Sequence, residues 1–133
     1  MSYTTFRTGV QTGYEAVTGI AVVLDYEPTS VQTTPLVYLV RDGGSCDYTA
    51  QGRLYTHRLL ATLVIPWQDP EQAEETLTGL IQPLYEAFDA DLSLGGTING
   101  AVEVTSDEAG FEMIAGTLYR TCEFTVVGTE LEC

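Results

Sequence analysis

The sequence predicts a single α+β domain, in which an N-terminal helix and one long central helix pack on one side of a mainly antiparallel or mixed sheet. Two observations support this fold class. Apolar residues recur at helical spacing in two segments, and the remaining apolar runs have the length and alternation of strands. The resulting order of helix, three strands, helix and three strands is typical of α+β domains. Residues 1–133 fit one domain by their length.

The first helix is predicted over residues 3–18, where apolar side chains follow one another at steps of three and four, and Gly19 is of the type that commonly ends a helix. Three strands are then predicted, at residues 20–26, 36–41 and 53–66. The apolar stripe of the helix consists of Tyr3, Phe6, Val10, Tyr14 and Val17.

Residues 42–51 separate the second and third strands and are predicted to form a mobile loop. The segment has no periodicity, and glycine and small polar residues mark it as irregular. It contains Gly43, Gly44, Ser45, Asp47 and Tyr48.

The long helix is the clearest local prediction. Asp69 provides an N-cap, Pro70 occupies the first helical position, and Gln72 can complete a capping box. The helix is expected to bend at Pro83 and to end near Asp91. Its apolar stripe is formed by Ala73, Leu77, Leu80, Ile81, Leu84, Tyr85 and Phe88.

Three more strands are predicted after this helix, at residues 98–105, 111–114 and 117–127. Residues 106–110 are expected to be a polar turn, and Ala115-Gly116 a tight two-residue turn. The last strand is expected to bury one face, formed by Leu118, Cys122, Phe124 and Val126.

The net charge is −14, because nineteen acidic residues stand against five arginines and no lysine. A surface of this sign repels phosphate and argues against sequence-independent nucleic-acid binding. Two interpretations are open and compatible: adaptation to high salt, or an acidic surface past which DNA moves without sticking. The absence of lysine and the nineteen threonines favour the first. No apolar run is long enough to span a membrane and no secretory signal precedes the first helix, so a soluble protein is expected.

The residues that could carry chemistry form no recognisable catalytic, cofactor or metal site. His57 is the only histidine and is predicted to be packed in the core or at an interface. A nucleophilic pair of Cys46 with His57 is the weaker alternative, because no thiol-enzyme signature surrounds it. Gly43-Gly44 and Gly95-Gly96 lie outside phosphate-binding motifs and are predicted to be turns.

Other weak signals are also better explained by structure. The odd number of cysteines, without a C-x-x-C spacing, argues against disulfides and zinc. Asp89-Ala90-Asp91 and Asp107-Glu108 lack the full calcium-loop pattern, so solvated carboxylates are expected there. Arg53, Arg58 and Arg120 all fall on predicted strands, where either an interface contact or an intramolecular ion pair would accommodate them.

The order of segments resembles the small tail-terminator, or tail-completion, proteins of long-tailed phages and tailed archaeal viruses. The likeness extends over nearly the whole chain and rests on order and spacing, since each fragment alone is weakly specific. The absence of lysine departs from the usual pattern and points to a salt-loving host. The fragments are Asp25–Pro28, Trp67–Pro70, Leu94–Thr97, Val104–Ser106 and Gly116–Arg120.

The resemblance implies a non-enzymatic virion protein without a cofactor, located at the head–tail junction and in the host cytoplasm during assembly. Its partners would be further copies of itself in a ring, commonly a hexamer, the tail-tube protein and the head connector, with viral DNA passing through the pore unbound. The alternatives are a head-completion or connector subunit, a small cytosolic ligand-binding or regulatory domain, and, third, an enzyme. The candidate interface residues are Gly43, Gly44, Ser45, Asp47, Tyr48, Arg53, Arg58 and Arg120.

Overall fold

A computed structural model describes residues 3–89 and 100–132 of the chain. It is a mixed α+β structure with two helices and a five-stranded mixed sheet of order β1-β2-β3-β5-β4, so the predicted fold class is confirmed at this level. Only β1 and β2 are parallel neighbours. The elements are α1 (Tyr3–Glu15), β1 (Val22–Leu24), β2 (Leu36–Thr49), β3 (Gly52–Pro66), α2 (Pro70–Glu86), β4 (Gly100–Ile114) and β5 (Thr117–Glu132).

Both helices form where the sequence predicts them, although each is shorter. α1 buries Phe6, Val10 and Tyr14 and ends at Glu15. α2 begins at Pro70, and the carboxylate of Asp69 accepts a hydrogen bond from the backbone N–H of Gln72 at 3.3 Å, which satisfies one of the free donors of the first turn. The predicted end of α2 near Asp91 is wrong, since the helix ends at Glu86. Asp91 and the segment Leu94-Gly95-Gly96 lie outside the described residues.

The main core forms between the helices and one face of the sheet, here called the core face. Alternate residues of β3 and their cross-strand partners on β5 supply it, because directly opposed residues of an antiparallel pair point to the same side. Leu63 and Phe124 on this face are 0% and 1% exposed. The helical stripes join the same cluster through Phe6, Val10, Tyr14, Ala73, Leu77, Leu80, Leu84 and Phe88.

The predicted mobile loop at residues 42–51 is wrong, because β2 continues to Thr49 and forms a hairpin with β3. The pairing register shifts between Arg41 and Gly43, and Gly43 adopts a φ of +105° that only glycine tolerates easily. The extra residue is thereby accommodated as a bulge, and the ladder resumes with Gly43 opposite Arg58. This part of β2 is largely exposed. Its sequence therefore lacks the alternation of apolar and polar residues that identifies a half-buried strand.

The predicted turn at residues 106–110 is also wrong. β4 runs without interruption to Ile114, and a register shift between Val104 and Ser106 takes up one residue. Only two strands therefore follow α2 in the described part of the chain; the predicted start of β4 at residue 98 lies outside that part. The tight turn is confirmed, because Ala115 and Gly116 have φ values of +51° and +81°, as a two-residue hairpin turn requires.

The other side of the sheet, here called the opposite face, carries a second and smaller apolar cluster. It contains Leu36, Tyr38, Val64 and Ile114. The predicted burial of Leu118 is wrong, since 40% of that residue is exposed, whereas Cys122, Phe124 and Val126 are buried as predicted. Neither of the two described helices is long and apolar enough to cross a membrane.

Candidate assembly surfaces

Both outer strands of the sheet have long stretches without a partner among the described residues. β1 covers β2 only at residues 36–38, so the outer edge of β2 is unpaired from Leu39 to Thr49. β4 is the last strand on the other side and pairs only with β5. Each edge presents a row of backbone N–H and C=O groups, which makes it a template for pairing with another chain.

The arm, defined as residues 41–58, is the hairpin formed by the distal half of β2 and the first half of β3. Its turn is closed by the Thr49 hydroxyl, which donates to the Gly52 carbonyl at 3.0 Å and accepts from the Gln51 N–H at 3.2 Å. Tyr48 near the turn is 78% exposed, and the guanidinium of Arg53 lies 5.4 Å from its ring centroid. The arm is therefore an ordered part of the sheet with an exposed aromatic residue near its turn, and its β3 half also pairs with β5.

The structure gathers most of the predicted interface residues on this arm. Ser45 pairs with Thr56 and Asp47 with Leu54, so all of the glycine and polar positions belong to one ladder. At its base, the guanidinium of Arg41 lies 4.9 Å from the ring centroid of Tyr3 and fixes the arm to α1. The arm residues among the candidates are Gly43, Gly44, Ser45, Asp47, Tyr48, Arg53 and Arg58.

Arg120 lies apart from the arm and makes an intramolecular ion pair. Its Nε is 2.7 Å from Oε1 of Glu74 on α2, and Nη1 donates to the Gly110 carbonyl at 2.9 Å. The guanidinium also lies 4.6 Å from the ring centroid of Phe111. These contacts are the intramolecular alternative considered for this arginine, and they join α2 to the β4–β5 hairpin.

His57 is packed among aromatic rings at the base of the arm. It is 8% exposed, and its ring stacks on Phe6 at 5.7 Å and on Tyr55 at 6.3 Å between centroids. Neither imidazole nitrogen has a hydrogen-bond partner among the described residues. Burial lowers the pKa of His57 from its ordinary 6.5, so the neutral form is favoured. Cys46, which the weaker alternative would make a nucleophile, is exposed and faces Tyr55 across the ladder.

A cluster of carboxylates occupies the opposite face of the sheet. Glu108 and Glu123 are direct cross-strand partners, and Glu112 accepts a hydrogen bond from the Tyr38 hydroxyl at 2.7 Å. Burial raises the pKa of Glu123, and the charges of Glu108, Asp42 and Glu112 raise it further. This face is therefore strongly anionic.

Sequence reasoning missed one polar contact, made by Asp107 on the core face. Its carboxylate accepts hydrogen bonds from the Tyr85 hydroxyl and, at 3.6 Å, from the Cys122 thiol. The bond to Asp107 raises the pKa of Tyr85 to about 12, and burial together with Asp107 raises that of Cys122 to about 12. The expected turn at residues 106–110 concealed this contact, because only the continuous β4 places Asp107 opposite Phe124.

The described residues contain no group of three or more His, Cys, Asp or Glu side chains arranged to hold a metal ion. The cleft beside the start of α2, between Pro35, Ile65 and Gln72, has a volume of about 290 Å³. That is just below the range of about 300 to 1,000 Å³ that is usual for ligand pockets.

Protein-family models give no match to this chain, and neither do the curated proteins.

Proposed function

We propose that this chain is a structural subunit of a tailed virus particle. Several copies form a ring that caps the tail tube, ends its polymerisation and provides the docking surface for the head connector. The observation that carries the proposal is that two strand edges, on opposite sides of one small sheet, have long stretches without a partner among the described residues. Two different edges on one subunit fit a head-to-tail contact, which closes into a ring when the rotation between copies allows it.

The acidic opposite face supports the same proposal. Glu108, Glu112 and Glu123 lie on that face, and Asp42 is close enough to influence Glu123. In a ring with this face toward the pore and both helices on the outer side, the wall would repel the phosphates of DNA. DNA would then pass through the ring without being held by it.

The net charge of −14 on each subunit predicts how assembly depends on salt. Copies of an acidic subunit repel one another over a distance of about 10 Å at 0.1 M salt and over longer distances at lower salt. Ring formation is therefore expected to weaken as salt is removed, in agreement with a particle adapted to a salty medium.

The test mixes the purified chain with the tail-tube protein of the same virus at several salt concentrations and examines the products by negative-stain electron microscopy. The expected products are rings and tubes of limited length with a ring at one end. Tube protein alone is the control and should give longer tubes without rings. Monomers at every salt concentration, with tube length unaffected, would contradict the proposal.

A further inference from the structure

Exposed apolar side chains gather near the β4–β5 turn, on the core face of the sheet. Phe111, Met113 and Leu118 are 52%, 65% and 40% exposed, and Leu118 is the direct cross-strand partner of Met113. Phe111 lies opposite Arg120 in the same ladder, and Arg120 contacts Glu74 on α2, so these side chains point to the side that the helices occupy. The helices, as far as the structure describes them, therefore leave this end of the core face uncovered.

The turn patch, defined as Trp67, Phe111, Met113 and Leu118, is ordered by its neighbours. The ring of Trp67 packs edge-on against Phe111 with 4.9 Å between centroids, and the guanidinium of Arg120 lies 4.6 Å from the centroid of Phe111. Arg120 is itself fixed to α2 and to the backbone of β4. Aromatic residues, methionine and arginine are enriched at protein–protein interfaces, and grouped exposed apolar side chains mark such sites. The turn patch therefore has the composition of a protein-binding surface.

Carboxylates border the turn patch on the side of α2. Glu74 contacts Arg120, and the side chain of Glu74 is 48% exposed. Glu71 is exposed and lies three residues earlier on the same face of the helix, and the N-cap residue Asp69 is exposed as well. These three acids, here called the acidic rim, stand against one guanidinium, so the border of the patch is anionic at neutral pH.

We infer that the turn patch binds a different protein, through a segment in which apolar side chains are flanked by lysine or arginine. The apolar side chains of that segment cover Phe111, Met113 and Leu118, and its cations face the acidic rim. The contact uses side chains at the hairpin turn and not the backbone edges of β2 and β4. It therefore goes beyond the proposed ring and does not depend on it.

Charge selects this occupant over a second copy of the chain. Two turn patches brought face to face would place their acidic rims together, and every other surface of a copy belongs to a molecule of net charge −14. Like charges brought together at an interface oppose binding, whereas complementary charges favour the correct partner and speed the encounter. A cationic partner combines the apolar contact with attraction to the rim, and two copies of this chain cannot.

The test titrates the full chain at low salt with a synthetic amphipathic helix, here called the Leu/Lys peptide. Its leucines lie on one face at helical spacing, with lysines beside them. One control peptide has glutamates in place of the lysines, and the other has serines in place of the leucines. Binding is followed by the fluorescence and the indole N–H resonance of Trp67, which is the only tryptophan and belongs to the patch.

The Leu/Lys peptide is expected to shift both Trp67 signals and to bind at least about tenfold more tightly than either control peptide. A patch variant carries Met113→Thr and Leu118→Thr, because threonine favours strands as well. It should bind the Leu/Lys peptide at least about tenfold more weakly. The matched control is Tyr26→Thr, which removes another exposed ring, 59% exposed, and should bind normally.

A second pair of variants tests the acidic rim. Glu71→Gln should weaken binding of the Leu/Lys peptide about two- to fivefold at low salt, and the difference should fade as salt is added. Glu86→Gln is the control, since Glu86 is exposed at the other end of α2 and should not matter. Each variant is first shown to be folded by far-UV circular dichroism and thermal unfolding.

The inference is overturned if the Leu/Lys peptide does not bind the unmodified chain, or if it binds without changing the Trp67 signals. Equal affinity for the patch variant and the unmodified chain would also overturn it. Sedimentation velocity of the chain alone provides the remaining outcome. Self-association that disappears in the patch variant would assign the turn patch to a second copy instead of a cationic partner.

Discussion

Glu108 of β4 and Glu123 of β5 lie directly opposite each other in the antiparallel ladder, with both carboxylates on the opposite face of the sheet. Cross-strand neighbours of like charge destabilise a sheet. Burial and the neighbouring carboxylates raise the pKa of Glu123, which means that its ionised form is disfavoured in the folded chain. The chain therefore carries electrostatic repulsion at a position where a neutral residue would be more stable.

Replacing Glu123 by glutamine is expected to stabilise the fold at neutral pH and low salt by about 0.5 to 1 kcal/mol, because it removes one charge of the opposed pair. Urea unfolding measures the gain. Glu103→Gln is the matched control, since Glu103 is exposed and faces Val127 instead of an acid. An equal gain in the control variant would show that only the overall charge matters.

The pH dependence of the same substitution follows from the sign of the pKa shift. A carboxyl whose folded-state pKa is raised binds its proton more tightly in the folded chain, so its ionisation costs stability above that pKa. The cost disappears as the pH falls through the raised pKa toward the ordinary value of 4.5. The advantage of Glu123→Gln over the unmodified chain should shrink in this window; an advantage that grows as the pH falls would contradict the assignment.

The lowered pKa of His57 predicts that lowering the pH destabilises the fold, which is opposite in sign to the effect of Glu123. Burial lowers the pKa of His57, so the folded chain favours the neutral ring. The free energy of unfolding should therefore be highest above pH 6.5, the ordinary pKa of histidine, and should fall as the pH drops from 6.5 through the lower pKa of the folded chain. As the only histidine, it gives a single imidazole titration by NMR, whose midpoint should lie below 6.5. His57→Leu should flatten the stability profile in this range, and a midpoint at or above 6.5 would disprove the burial effect.

Two glycines provide a matched test of packing. A Cβ at Gly128 would clash with Cε1 of Phe6, whose side chain is fully buried, whereas a Cβ at Gly79 on α2 meets nothing within 4 Å. Gly128→Ala should therefore cost about 1 to 3 kcal/mol through overpacking. Gly79→Ala should instead stabilise the helix by up to about 1 kcal/mol. The midpoints of thermal unfolding of the two variants check this expectation. An unchanged midpoint for Gly128→Ala would contradict the packing of Phe6 against Gly128.

Features governed by a few neighbouring residues could be predicted from the sequence. The start of α2 depends on Asp69 and Pro70, whose capping and fixed φ act within one turn. The Ala115-Gly116 turn depends on two residues that accept positive φ. The buried stripe of α1 also follows from spacing alone, because a helix folded on a core must be apolar on one side.

The length of the edge strands could not be predicted, since it depends on partners far along the chain. Residues 42–49 and 105–110 are polar or glycine-rich and mostly exposed, yet their backbones are held by β3 and β5. Exposed strands lose the alternation that reveals buried ones. The acidic cluster was hidden for the same reason, because Glu108 and Glu123 become neighbours only when the register of β4 and β5 is known.

The cysteines should differ strongly in reactivity. Cys46 on the arm is exposed, whereas Cys122 is fully buried and its pKa is raised to about 12 by burial and by Asp107. Since the thiolate is the reactive form, Cys122 should be protected. In a Cys133→Ser background, a thiol reagent at pH 8 should modify one cysteine quickly and the second only after unfolding. Cys46→Ser should remove the fast phase, and two fast phases in the background chain would contradict the burial of Cys122.

A shortened arm should separate folding from assembly. Removing residues 46–55 and joining Ser45 to Thr56 through Asn-Gly keeps a directly opposed pair at the new turn and supplies a favourable two-residue hairpin connection. His57 and Leu59 are retained, so the main core is intact.

The shortened chain is expected to unfold cooperatively, with a small change in stability, because most of the removed side chains are exposed or half-buried. It should fail to form rings and to limit tube length, since four of the eleven residues of the free β2 edge and one arm arginine are gone. The control keeps the full arm and carries Tyr48→Ser, which removes the exposed ring but leaves the ladder. If backbone pairing dominates the contact, that control should still assemble. Normal rings from the shortened chain would exclude the arm from the interface.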